Sequence, residues 1–514
     1  MSSALTFTDR RRTRRSQLLR DSRVRFEHSC YTVAAHERQS SRRANPADDA
    51  DRQPGHLISV QRSIQVLTLD AQFHSAGIAG LFEPATQFAH MLAFEAALAR
   101  AQGELGLIPA AAAAIIADTC EASGSAVRID PEAVRRAGNP AIPLISMLTD
   151  RIRSVDADAA AWVHYGATSQ DLIDTATMLA LREAFAIVRH DLNQLRESMA
   201  TLARTHARTP MLARTLLQQA TPTTLGYKLA AALAGLDQVA ARMTDISTTH
   251  FALQLGGPVG TLAAAGAQAS ELVRDVAARL GLAPAGICWH TNRVRIAECG
   301  ALLATLTGQL GKIARDVVLE MQSEVAELAE GHASGKGGSS AMPHKHNPVD
   351  SVVAIAAATV TPQLAAGLFA AMTQEHERAA GGWHAEWLLL PQLCSLSHGA
   401  LQSVLEIMLG LRVDAERMRA NLDSALGLTS ASALANALAP ALGRDAAHST
   451  VQAWSRSALS ERRNLREIAE RNLATFEKNP LTQTQLADAF SIEREVAAAE
   501  ARALQYLQQR PPAT

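Results

Sequence analysis

Residues 338 to 348 read Gly338-Ser339-Ser340-Ala341-Met342-Pro343-His344-Lys345-His346-Asn347-Pro348, a dense polar run between strongly apolar stretches. Two hydroxyls offer proton donors or acceptors, Lys345 supplies a cation, and Asn347 supplies amide donors fixed between two prolines. A glycine-rich approach lets such a segment move, and donors preorganised in it stabilise negative charge as it develops. The set suits work on an anionic substrate. The plainer reading is a polar connection between helices, but a run combining all these groups exceeds what a connection needs. A second polar run is His164-Tyr165-Gly166-Ala167-Thr168-Ser169-Gln170-Asp171. Its hydroxyl pair beside a glycine suits a carboxylate, and T-S-Q-D reads equally well as a helix N-cap with acids nearby.

The first run matches G-S-S-x-M-P-x-K-x-N-P, the loop that identifies the fumarase/aspartase superfamily, and the chain resembles that superfamily from about Asp70 to its C-terminal region. The resemblance implies that Ser339 is the catalytic base. Lys345 and Asn347 would stabilise the doubly charged aci-carboxylate formed when a proton leaves the carbon beside a carboxylate, with Ser340 and Met342 binding substrate from the same loop. It further implies that Thr168, Ser169 and Gln170 bind a substrate carboxylate as part of the first conserved region. The segment Arg214 to Thr224 resembles the second, often R-T-H-x-Q, and would contribute Thr215 and Gln218.

The pattern departs at two places. Where many member lyases carry a histidine the chain has Leu216, and where adenylosuccinate lyases carry that histidine's glutamate partner it has Val352. A histidine backed by a carboxylate is a tuned proton carrier, useful when an amine or hydroxide must be protonated as it leaves. A carboxylate leaving group is already a stable anion at neutral pH. Loss of the pair is therefore compatible with a lactonising enzyme. Within the superfamily the chain resembles the carboxymuconate cycloisomerases through FEAALARAQGELGLIPAAAAAIIA, GNPAIPL, WHTNRVRIAE and QEHERAAGGWHAEW. That resemblance implies a small tricarboxylate substrate, 3-carboxy-cis,cis-muconate, closed to 4-carboxymuconolactone. The alternatives are an adenylosuccinate-lyase-like elimination that releases fumarate, and a catalytically silent helical scaffold. Asn139-Pro140-Ala141-Ile142-Pro143-Leu144, where a His-Asp-Val element would stand, weakens the nucleotide alternative. Arg293 or Arg295 can grip an additional carboxylate in fork geometry, and can equally be surface cations flanking a helix start.

The elements that must position these groups are helices. Beyond about Asp70 the residues Ala, Leu, Glu, Arg and Gln dominate, with few alternations of strand type. Leu303, Leu306, Leu310, Ile313, Val317, Met321 and Val325 form one apolar stripe by steps of three and four. Aromatics are only 4% of residues, so the core must be Ala and Leu, which suits closely spaced helices. Val352 to Met372 is the nearest approach to a membrane span, but its threonines, proline and alanine-rich character read as a buried bundle helix. Glycines break the helices at Gly256-Gly257-Pro258, Gly335 to Gly338, and Gly381-Gly382.

The expected fold is all-α, a three-domain fumarase/aspartase-like architecture around a central long-helix bundle. The segments are an Arg-rich extension over 1–69, read as disordered, an N-terminal helical domain over 70–172, the bundle with its catalytic loop over 173–412, and a C-terminal helical domain over 413–514. The balance of 49 basic against 50 acidic residues gives no field that would draw nucleic acid or an anionic membrane. Five scattered cysteines indicate neither a disulfide framework nor a zinc site and suit a reduced cytoplasm. No dinucleotide or Walker loop supports a cofactor. His384 and Glu386, two apart near His376, make a weak metal set, so no metal is expected. The superfamily resemblance implies a homotetramer whose active sites combine Thr168, Gln218 and Ser339 from three subunits.

Overall fold

In the helix Ser169–Thr205, the side chains of Met178, Leu181, Phe185, Val188, Leu192, Leu195 and Met199 are all buried, stepping alternately by three and four. That spacing keeps one stripe of a 3.6-residue helix on the core. This first bundle helix is joined by four more, Leu225–Thr249, Val294–Met321, Val349–Ala371 and Gly382–Gly410. The computed structural model describes residues 71–333 and 335–512. The Arg-rich extension read at 1–69 lies outside them.

Small residues set how closely the third and fourth bundle helices approach. A Cβ on Gly311 would stand 2.4 Å from the Ala358 methyl, and one on Gly300 2.4 Å from Leu368. Buried between the same two helices, the hydroxyls of Thr307 and Thr361 meet at 2.5 Å and satisfy one another. The fourth bundle helix, expected to be a buried bundle helix, has two faces. Ala354, Ala357, Ala365 and Leu368 pack into the core, while Val352, Val360 and Phe369 are about half exposed. It is long and apolar enough to cross a membrane, but it packs against the third and fifth bundle helices.

The stripe expected to run to Val325 stops at Met321. Gln322 turns to extended backbone and Ala326 takes φ 52°, so Val325 falls beyond the helix and the chain turns back toward Arg214. Among the described residues the strands form two short antiparallel pairs, and Ala252 and Ala283 make one isolated parallel bridge. Pro210–Thr215 pairs with Gln218–Thr224, and Leu328–Ala329 with Arg412–Val413.

Three apolar cores underlie this architecture. One lies in the bundle. A second is built from Phe88, Phe94, Leu98, Ile116, Leu144 and Leu148, and takes in Leu253, Leu255 and Val276 from the chain between the second and third bundle helices. The third lies within residues 434–489. The last helix, Glu493–Gln509, returns to the bundle core through Ala503 and Leu507.

Candidate active site

The segment carrying Ser339 emerges between two anchors. On the near side, the buried Glu330 carboxylate accepts the amides of Ser351 at 2.8 Å and Asp350 at 3.3 Å, capping the fourth bundle helix where Pro348 offers no side-chain cap. Lys336 then pairs with Asp350 across the base. Burial works against the Lys336 ammonium and Asp350 outweighs it, raising its pKa. Above this base the Asn347 amide donates to the Gly337 carbonyl at 2.7 Å, and the rings of His332 and His346 meet edge to face at 4.4 Å. Gly337 has φ 69°, and a Cβ there would lie 2.7 Å from the Asn347 carbonyl oxygen, so the neck requires glycine.

Within the loop, Ser339 Oγ accepts the Met342 amide at 3.1 Å and the Ala341 amide at 3.4 Å. Two N–H donors aimed at one hydroxyl oxygen favour its anionic form, the local asset a serine base requires. The Lys345 amide donates to the Met342 carbonyl and Asn347 Nδ2 to the Gly338 carbonyl, so the turn is tied to itself. Ser340, Met342 and Lys345 are exposed side chains on it.

The second predicted segment opens the first bundle helix, with Thr168 as N-cap. The turn is thus the helix cap that its sequence allowed, and a long helix presents unpaired amides and partial positive charge at its start. The turn has two sides. Thr168 and Ser169 are half-buried, whereas Gln170 and Asp171 are fully buried. Gln170, expected to contact substrate, turns its side chain into the fold. Its amide donates to the His290 carbonyl at 2.8 Å and to Asp174 at 3.2 Å, and its oxygen accepts Arg378 Nε at 3.1 Å.

Arg293 is likewise turned inward. It is 2% exposed, with Nη1 and Nη2 on Asp174 at 2.8 and 3.1 Å, and Nε and Nη2 on Glu386 at 2.9 and 2.5 Å. Asp174 further accepts the Trp383 indole at 2.8 Å. The fork is filled by protein carboxylates, and no face of it is left for substrate. Burial alone would push the Glu386 carboxyl up further than it is, since Arg293 partly holds it down. Arg295 instead donates to the carbonyls of Thr249 at 2.9 Å and His250 at 3.4 Å, closing the second bundle helix.

Thr215 and Gln218 are the pair that closes the exposed hairpin turn, with Leu216 and Leu217 at its tip. Both leucines have positive φ, 51° and 63°, and are 97% and 70% exposed. Arg214 fixes the hairpin from behind through a two-pronged bond to fully buried Glu327 at 2.9 and 3.0 Å. Among the described residues no hydrogen bond or ion pair joins the hairpin tip, the Thr168 turn and the Ser339 loop within one chain.

Sequence reasoning missed Glu330, Lys336 with Asp350, and His164 with Glu95. His164 Nδ1 lies 2.6 Å from buried Glu95, in a left-handed backbone conformation (φ 58°). Burial opposes its charge, and Glu95 with Asp171 outweighs burial, raising the pKa. The one signal in the sequence was its place in the polar run before Thr168.

The Lyase family model matches residues 73–361. The 3-carboxy-cis,cis-muconate cycloisomerase of Bradyrhizobium diazoefficiens is 48% identical over 394 residues, 77% of this chain and 87% of that one. The enzyme of the same name from Pseudomonas aeruginosa is 47% identical over 399 residues, 78% and 87% of the two chains. The crystal structure of 3-carboxy-cis,cis-muconate lactonizing enzyme from Pseudomonas putida matches with a TM-score of 0.79 at 41% identity, covering 86% of this chain and 99% of that one. On the strength of these matches and the loop geometry, this chain belongs to the Lyase family, within the fumarase/aspartase superfamily.

Proposed function

We propose that this chain is a cycloisomerase that closes 3-carboxy-cis,cis-muconate to 4-carboxymuconolactone, a step in aromatic-compound degradation. The observation that carries the reading is Ser339 Oγ held by two backbone amides on the loop that also bears Lys345 and Asn347, in a chain nearly half identical to enzymes of that name. One carboxylate oxygen of the substrate adds to an alkene carbon. The displaced electron pair moves through the conjugated system into the neighbouring carboxylate, forming an aci-carboxylate that Lys345 and Asn347 stabilise. Ser339 delivers its proton to the adjacent carbon and regains one from solvent, so no atom of substrate is lost. In reverse the same serine removes that proton, as microscopic reversibility requires.

Leu216 fits the reading, because the group that leaves in lactone opening is a carboxylate and requires no histidine. The active unit is a homotetramer in which Thr168 and Ser169, Thr215 and Gln218, and the Ser339 loop come from three subunits. The separation of these groups in one chain and the exposed leucines at the hairpin tip support it. Cys120, Cys288, Cys299 and Cys394 are free thiols, which suits a reducing cytoplasm.

The test is ultraviolet loss of the conjugated diene on mixing the protein with 3-carboxy-cis,cis-muconate. Loss that disappears in Ser339→Ala is expected. No loss, with fumarate released from adenylosuccinate, would move the chain to the lyase branch.

A further inference from the structure

Asp171 is fully buried and its two carboxylate oxygens collect four donors from three segments of chain. Oδ2 accepts the Thr168 amide at 3.1 Å and the Gly257 amide at 2.8 Å. Oδ1 accepts the Gly256 amide at 2.9 Å and His290 Nε2 at 2.7 Å. An acid that only capped the helix would require the first of these bonds alone. The other three tie the cap to a glycine loop 85 residues on and to a histidine 119 residues on.

The seam admits little movement. A Cβ on Gly256 would stand 2.4 Å from Cys288 Sγ, and one on Gly257, where φ is 68°, 2.6 Å from the Gly166 carbonyl oxygen. His290 grips the helix start twice, through Nε2 on Asp171 and through its own carbonyl, which accepts the Gln170 amide at 2.8 Å. Gln170 and Asp171 are therefore held from beneath, and Thr168 and Ser169, two residues and one residue earlier than Gln170, occupy the more open side of the same turn.

We infer that His290 and Asp171 are positioning residues for the reaction: together they fix the Thr168–Ser169 turn that receives a substrate carboxylate, and they act on substrate only through that turn. The inference rests on the proposed function for the role of Thr168 and Ser169. A carboxylate contact misplaced by about 1 Å loses most of its value, and a loss shared equally by the ground state and the transition state raises KM with kcat unchanged.

The experiment compares His290→Ala with His290→Gln, whose side-chain amide can still donate to Asp171. Turnover of 3-carboxy-cis,cis-muconate and calorimetric binding of propane-1,2,3-tricarboxylate are measured, with thermal melts as the folding control. His290→Ala is expected to raise KM and weaken tricarboxylate binding roughly tenfold, with kcat changed by less than about threefold, and His290→Gln to restore most of both. Equal KM in wild type and His290→Ala, or a fall in kcat with KM unchanged, overturns the inference. Wild type that binds the tricarboxylate without turning over the muconate removes the functional reading, and the binding comparison still decides the inference. Wild type that neither turns over the muconate nor binds the tricarboxylate overturns both.

Discussion

The Asn347 amide donates to the Gly337 carbonyl at 2.7 Å, closing the neck of the loop that carries Ser339 and Lys345. Because Gly337 stands at φ 69° with the Asn347 carbonyl 2.7 Å from where a Cβ would be, Gly337→Ala must open the neck. The substitution displaces the Ser339 loop without touching a reacting group. We expect kcat to fall about a hundredfold, with a thermal melt close to wild type because the loop adds little to the buried cores. Full activity in Gly337→Ala would mean that the loop takes another shape when it works.

Arg214 and Glu327 join the hairpin to the turn after the third bundle helix, and Glu327 is fully buried with Asn421 Nδ2 as its other side-chain donor, at 2.8 Å. Arg214→Met leaves that carboxylate with its charge uncompensated. Breaking a buried pair from one side costs about 3 kcal/mol or more, and a chemical-denaturation midpoint should show it. Adding Glu327→Gln in the same chain should recover part of the loss, because the remaining partner is then neutral.

The polar loop and the bundle were legible in the sequence because both are local. Six polar side chains in eleven residues mark out 338–348, and three-and-four steps state which face of Ser169–Thr205 is buried. Arg293 was not legible, because the carboxylates that fill its fork are Asp174 and Glu386, 119 and 93 residues away. The inward bonds of Gln170 were not legible for the same reason, since its partners His290 and Arg378 are 120 and 208 residues off. The hairpin turn escaped notice because two leucines occupy positive-φ positions where glycine or asparagine would announce a turn.

His290 sets a pH dependence. Burial works against its charge, while the hydrogen bond and charge of Asp171, with Cys288, outweigh burial and push the pKa up to about 9, from an ordinary 6.5. A folded-state value above the unfolded one adds stability that is fully present below about pH 6.5 and is lost as pH rises through about 9. The gap corresponds to roughly 3 kcal/mol. Denaturation midpoints at about pH 6 and about pH 10 should converge between wild type and His290→Gln at the higher value. Midpoints that stay parallel across that range would remove His290 as the titrating group.

Leu216 and Leu217 expose apolar side chains at the hairpin tip in a backbone conformation that costs a branched side chain on the order of 1 kcal/mol per residue. Covering an exposed, strained apolar tip with another surface stabilises it. In the proposed tetramer that surface belongs to neighbouring subunits, so Leu216→Glu places a charge at the contact. Sedimentation should then find species smaller than the wild-type assembly, with activity lost in proportion, because the Ser339 loop no longer meets the hairpin. Leu216→His separates assembly from chemistry. A histidine is tolerated at a subunit contact better than a carboxylate, and if the leaving group in lactone opening is a carboxylate, the added imidazole has no proton to supply. The expected result is an intact assembly with cycloisomerase turnover no higher than wild type. A large gain in turnover would mean that this reaction does use a proton carrier at that position, and that Leu216 is a loss rather than an adaptation.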